Sequence, residues 1–402
     1  MIMIRRLGDR VSSTASNEVG SDNVLLARGE SGCGIAPIAV AELVEDEFVS
    51  AHIHSGMQDG FCDCDIPTCE TMDGENPVCP KGDCVIDEDS SKFYPMLFKK
   101  NRKVLVWGTE DWTVSAVAGA ESEIENGTWA RCLLSDVIAK YPEDVLGKHV
   151  AEQYNNKLPL LSKIIRTHAD LSIQVHPNDE MAQREHGKLG KSEMWYIIDA
   201  APDACLYAGF KDQITPEEYE RHVANGTIAE VLAKHEVHAG DVFYLPAGRV
   251  HALCSGITLA EIQQSSDVTY RIYDYNRLGL DGNPRELHTE LAAKAIDYTV
   301  YSNYKTDKIR KEDAVSELLN TPHFSVNLLE SNRDLHRNMI KYDSFVILMN
   351  LGGSCQISVN STKDKVILNE GESCLIPATI ADYHLESDGD FKVLEAFIDN
   401  EK

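Results

Sequence analysis

The chain has 402 residues, with 38 Lys or Arg against 65 Asp or Glu and a formal charge of −27 at pH 7. Single hydrophobic cores stop growing at about 250 to 300 residues, so two or three domains are expected. The excess acid repels nucleic-acid phosphates and anionic lipid headgroups, which argues against both as partners; an anionic substrate would need its own local Lys, Arg or metal.

The opening Met1-Ile-Met-Ile-Arg-Arg-Leu-Gly-Asp-Arg10 lacks the apolar stretch of a secretory signal. No apolar run approaches the roughly 18 residues of a spanning helix, so a cytoplasmic protein is expected. Eleven cysteines, an odd number in so long a chain, do not read as a secreted disulfide framework. Six of them (Cys33, Cys62, Cys64, Cys69, Cys79, Cys84) precede residue 92, in a segment with 18 Asp or Glu against 5 Lys or Arg. Asp59 to Ser91 shows no apolar period of either kind. Its Cys62-x-Cys64-x4-Cys69-x9-Cys79-x4-Cys84 spacing offers zinc-ligand chemistry but not the paired CxxC pattern, and residues 1–91 are read as an acidic, Cys-rich, poorly structured extension.

From Lys92 onward short β-type runs dominate: Lys103 to Trp107, Trp112 to Val117, Asp170 to His176, Glu193 to Ile198, Asp241 to Leu245 and Val268 to Tyr273. Many short strands bounded by Gly, Pro and Asp predict a mainly β protein of sandwiches or barrels. Helices interrupt them. Thr215-Pro-Glu-Glu218 is a capping box with Pro at the first helical position, Thr227-Ile-Ala-Glu230 opens a second, and others are expected near Ser135 to Lys140, Pro284 to Ile296 and Lys311 to Leu319. Past Pro322 the strands resume around the turns Asn350-Leu-Gly-Gly-Ser354 and Asn369-Glu-Gly-Glu372. The expected division is thus 1–91, a larger 92–320 β domain with helical insertions, and a smaller β domain over 321–402.

Period-two alternation in Leu171-Ser-Ile-Gln-Val-His176 sends Leu171, Ile173 and Val175 one way and Ser172, Gln174 and His176 the other. Pro177 ends that strand. Glu193 follows His176 by 17 residues and shares a face with Lys191. Gly240 to His251 reads as turn, strand, Pro-Gly turn and a histidine opening the next strand. Gln174, His176, Glu193 and His251 together supply two imidazoles and two oxygens, a donor set for zinc or another divalent first-row ion.

The blocks Asp170 to Asp179, Gly190-Lys-Ser-Glu-Met-Trp-Tyr196, Gly240 to Leu253 and Ala260 to Arg277, in that order, resemble type I mannose-6-phosphate isomerases of the short bacterial form. The resemblance runs from about Phe93 to the C-terminus. It implies two cupin (jelly-roll) β barrels with a few inserted helices, and interconversion of mannose 6-phosphate and fructose 6-phosphate through an enediol. It also implies one Zn2+ per chain on Gln174, His176, Glu193 and His251, Arg271 as the active-site arginine, and Lys191 and Ser172 at the sugar-phosphate site. Glu261, on the strand leaving His251, is the candidate base, with Lys191 and Asp267 as rivals. The C-terminal Gly371 to Ala378 echoes Gly240 to Ala247 without a metal-type histidine at the matching place, so the second barrel is read as a non-metal unit. Residues 1–91, the short Gly108-Thr-Glu-Asp111 link and Arg166-Thr-His168 depart from the family pattern. Another metal-dependent cupin sugar-phosphate isomerase and a non-enzymatic sugar-binding cupin stay open as alternatives.

Overall fold

The computed structural model describes residues 93–307, 314–360 and 365–400. The expected extension over 1–91, with its cysteine spacing, lies outside the described residues. The rest is mainly β, and its strands form four antiparallel sheets.

One six-stranded sheet runs in the order Asn101–Leu105, Gly108–Val114, Leu160–Thr167, Ile257–Gln264, Glu193–Ala200, Val242–Leu245. A five-stranded sheet faces it, in the order Tyr270–Tyr273, Ile173–Val175, His251–Leu253, Cys205–Phe210, Leu232–Glu236. Ile165, Trp195 and Leu259 of the first pack with Leu206, Ala208 and Leu253 of the second in one apolar core. The C-terminal pair comprises a six-stranded sheet, Met96–Leu97, Ser373–Ile376, Val346–Gly352, Phe391–Phe397, Ser325–Ser331, Val315–Asn320, and a four-stranded sheet, Leu335–Asn338, Asp382–Glu386, Ser354–Ser358, Lys365–Asn369.

The two six-stranded sheets are buried on both faces. Along Val346-Ile-Leu-Met349, Val346 and Leu348 face the four-stranded sheet. Ile347 and Met349 face the other way, into a core shared with Met194, Ala260 and Ile262 of the first six-stranded sheet and with Leu134, Val137 and Val150 of the inserted helices. A strand apolar on both sides reads as a continuous run, not an alternation. Four layers result, with the two six-stranded sheets in the middle.

Several elements differ from expectation. The helix expected over Lys311 to Leu319 is corrected: its described end is the strand Val315–Asn320, paired with Ser325–Ser331 and burying Leu318 and Leu319 in the shared core. Apolar neighbours in a short run fit either element, and here the available sheet edge decides. That strand also starts before the expected division at 320 and belongs to the C-terminal sheet. Thr227 opens only a single 3-10 turn, Ile228–Val231, with no side-chain cap, whereas Thr215 caps Pro216–Ala224 with a full box. The expected link 108–111 is strand: Leu105 pairs with Gly108, so the turn lies at Val106-Trp107. Gly108 is required there, because a Cβ would meet the Arg166 carbonyl oxygen at 1.9 Å.

Candidate metal centre and active site

The site is built between the six-stranded sheet that contains Glu193–Ala200 and the five-stranded sheet that contains Ile173–Val175. In the five-stranded sheet His251 lies directly opposite Gln174, and Gln174 directly opposite Arg271. Side chains opposite one another share a face, so one row carries Arg271, Gln174 and His251. Ser172 sits two residues before Gln174 and is buried. On the facing sheet Glu193 is opposite Gln263, while Trp195 and Lys163 flank Glu261 on either side. The alternate residues Met194, Ala260 and Ile262 point into the shared core instead.

Glu193 is fully buried. Its Oε1 lies 3.1 Å from His251 Nε2, and its Oε2 lies 3.5 Å from His176 Nε2 and 3.1 Å from Lys191 Nζ. Neither oxygen is aligned for a hydrogen bond with any described residue. Lys191 already balances part of this buried charge, but the Oε1 side, turned to His251, meets no cation among the described residues, and an ion there would complete the carboxylate. Both imidazoles are oriented from behind. His176 Nδ1 is 2.9 Å from the Val268 carbonyl oxygen, and His251 Nδ1 is 2.9 Å from that of Arg249. A ring donating its Nδ1 proton to a carbonyl keeps Nε2 as a lone pair, the form a metal needs. The donor atoms of His176, Glu193 and His251 lie within 4.8 Å of one another, and the Gln174 amide reaches to 3.3 Å from His251 Nε2. The residues therefore fit a divalent cation.

The protonation states agree with that chemistry. Burial, with Lys191 beside it, pushes the His176 imidazole well below its ordinary value, so it is neutral. Burial alone would raise Glu193, but the Lys191 ammonium beside it holds its carboxyl well below the usual range.

Lys191 touches both Glu193 and His176, with Nζ also 3.1 Å from His176 Nε2. The Arg271 guanidinium donates from Nη1 to the Glu286 carbonyl at 2.8 Å, and its Nε is buried without a hydrogen-bond partner among the described residues. Burial, then Arg285, lowers its pKa, yet a guanidinium stays charged. The base candidates are not equivalent. Asp267 is about half exposed and pairs with Lys188 at 2.5 Å. Glu261 is buried, with Oε2 2.7 Å from Lys163 Nζ and Oε1 accepting from Trp195 Nε1 at 2.9 Å.

Lys163 belongs to no motif. It is fully enclosed and also donates to Gln263 Oε1 at 2.7 Å, with Glu110 Oε2 at 4.0 Å. Burial would lower its pKa, but Glu261 and Glu110 outweigh that and hold it above the ordinary lysine range. Its only signal in the sequence is a lone cation in the apolar run Leu160-Leu-Ser-Lys-Ile-Ile165.

Residues 107–201 match the family described as phosphomannose isomerase type I, catalytic domain. The probable mannose-6-phosphate isomerase GmuF of Bacillus subtilis is 35% identical over 289 residues, 71% of this chain and 88% of that protein. The mannose-6-phosphate isomerase ManA of the same organism is 31% identical over 312 residues, 73% and 96% of the two chains. The crystal structure of the mannose 6-phosphate isomerase from Bacillus subtilis superposes with a TM-score of 0.68 at 28% identity, covering 75% of this chain and 99% of that one. With 35% identity across most of a curated relative and a metal-competent cluster between its sheets, the chain belongs to the type I phosphomannose isomerase family and is an isomerase.

Proposed function

We propose that the chain interconverts mannose 6-phosphate and fructose 6-phosphate, with a divalent metal, zinc by donor type, held by Gln174, His176, Glu193 and His251. The observation that carries this reading is the buried Glu193 carboxylate, unsatisfied by hydrogen bonds and faced by two Nε2 lone pairs. When bound, such an ion acts as a Lewis acid toward the oxygens of an open-chain sugar and stabilises the negative charge that develops during enolisation.

The chain's own residues supply the rest. Aldose–ketose exchange moves a proton between two adjacent carbons through an enediol, so a base must reach a carbon-bound proton. Glu261 takes that role: it lies on the same inner face as Gln263, which is directly opposite Glu193, and the Lys163 ion pair fixes its carboxylate in place. Trp195 Nε1 holds the other oxygen and closes that wall against the His251 ring, 5.3 Å away edge to face. Lys191 and Arg271 provide the positive charge an anionic sugar phosphate needs against the chain's overall −27, and Ser172 lines the same face of the strand as Gln174.

A coupled isomerase assay on mannose 6-phosphate, with and without chelator, beside elemental analysis, tests this. Turnover that disappears on chelation and returns with a divalent ion is the expected result. A protein free of metal that isomerises at full rate contradicts the metal reading, and one that leaves mannose 6-phosphate untouched in any metal contradicts the substrate.

A further inference from the structure

A second group of metal-type donors lies on the outer face of the C-terminal four-stranded sheet, away from the interior of either sheet pair. Leu335–Asn338 and Asp382–Glu386 run antiparallel with His336 directly opposite His384. Alternation buries Tyr383 and Leu385 and turns Asp382 and His384 outward. The two imidazoles stack at 4.6 Å between centroids and 24° between planes. His336 Nε2 lies 2.9 Å from Asp382 Oδ2. Asn360 Nδ2 lies 3.1 Å from His384 Nε2 and 3.4 Å from Asp382 Oδ1. One donor atom from each of His336, Asp382 and His384 falls within 4.8 Å of the others.

We propose that His336, Asp382 and His384 form a surface site for a divalent first-row transition ion of the zinc class, separate from the interior centre. Two imidazoles and one carboxylate are the donor types such ions select over magnesium or calcium, which prefer oxygen alone. An ordinary surface ion pair needs only His336 and Asp382. Here His384 brings a third donor atom within 4.8 Å of both; the Asn360 amide that faces its Nε2 marks that nitrogen as a lone-pair acceptor and turns aside when an ion takes its place. Two of the three ligands are two residues apart on one strand and the third is directly across on its neighbour, so the sheet backbone already sets their spacing. The chain's charge of −27 favours a cation at the surface. Three protein ligands on an exposed face leave the remaining positions to water, so the site binds an exchangeable ion and not a folding-essential one.

The test compares zinc content of the full-length holoenzyme and its His336→Ala/His384→Ala variant after equilibrium dialysis over a series of free-zinc concentrations. Zinc bound elsewhere in the chain is common to both and cancels. Wild type is expected to take up one zinc equivalent more than the variant, with isomerase rate and melting temperature alike. Asp382→Asn should move the midpoint of that extra uptake by about tenfold or more. Identical zinc uptake by wild type and double variant overturns the proposal. Should the double variant melt early, His336→Gln, a single exposed change, serves in its place, and unaltered uptake in that folded protein overturns it equally.

Discussion

Around Glu193 two backbone carbonyls fix which nitrogen of His176 and of His251 faces the carboxylate. Replacing His176 or His251 by Ala is expected to remove the metal and the isomerase activity while leaving most of the fold, as elemental analysis and circular dichroism would show. Full activity in metal-free His251→Ala protein would sink the assignment. Lys191→Ala and Arg271→Ala each remove a charged donor worth roughly 1.5–3 kcal/mol. About 10- to 100-fold loss in kcat/KM for mannose 6-phosphate is expected, and wild-type values in both would show that the phosphate is held elsewhere. Next to Arg271, Asp274 gives a pH signature. Burial opposes its ionisation, but hydrogen bonds from Arg285 and Arg277 hold its carboxyl below the ordinary 3.8. A depressed folded pKa means stability that is full above the unfolded value, near 3.9, and lost as pH falls through the folded one. The stability difference between wild type and Asp274→Asn should therefore be constant above about pH 5 and shrink below about pH 4. An unchanged difference down to pH 2 in acid-unfolding curves would refute the pairing.

Among the elements, the contrast between the two sheet pairs is instructive. The first pair surrounds a polar centre suited to a cation. In the second, the fully buried Glu395 is satisfied by protein alone: Arg337 donates from Nε at 2.7 Å and Nη2 at 2.6 Å, Tyr383 Oη at 2.7 Å and Asn327 Nδ2 at 2.7 Å. That carboxylate has no need of a metal. Breaking a buried pair by removing one partner costs about 3–5 kcal/mol. Arg337→Ala should lose stability on that scale in urea unfolding, whereas Arg337→Met/Glu395→Leu should lose less; a loss below about 1 kcal/mol for Arg337→Ala would show that the network is not desolvated as described. Strand alternation makes Gln174 and His176 legible in the amino-acid order, because they share a face with Ser172 opposite the apolar Leu171, Ile173 and Val175, and Glu193 because it opens the apolar run Met194-Trp-Tyr-Ile-Ile198 and shares a face with Lys191. Lys163 is not legible in that way: the run Leu160-Leu-Ser-Lys-Ile-Ile165 is buried on both faces, so alternation cannot say which side the lysine takes.

At the scale of the whole molecule, the N-terminal boundary of the described fold matters. Met96 is fully buried, and Met96–Leu97 pairs with Ser373–Ile376 of the C-terminal sheet, while Tyr94 stacks on Trp129. A chain beginning near Lys92 is expected to keep metal and isomerase activity, because residues 1–91 lie outside every block that resembles the family. One beginning at Asn101 loses Tyr94, Met96 and Phe98 from the core and should unfold many degrees earlier, since truncating a buried Met or Phe to Ala already costs about 2–5 kcal/mol. Thermal melts and assays on both truncations check this; a Lys92 chain without activity would give residues 1–91 a role in the reaction.

What the amino-acid order determined by itself is local: strand character, the Thr215 capping box, the order of the motif blocks and the donor types at Gln174, His176, Glu193 and His251. These depend on period-two and period-3.6 patterns within a few residues of one another. The tertiary structure decided the rest. It put Val315–Asn320 in a sheet where the apolar run suited a helix as well, engaged Glu261 with Lys163 across 98 residues of chain, and left Asp267 on the surface with Lys188. It also decided which faces of the middle sheets meet each other and which enclose the centre. Those outcomes rest on contacts between strands far apart in sequence, and a side chain that alternation merely turns toward one face acquires its partner, and so its charge state and chemistry, only when the opposite sheet arrives.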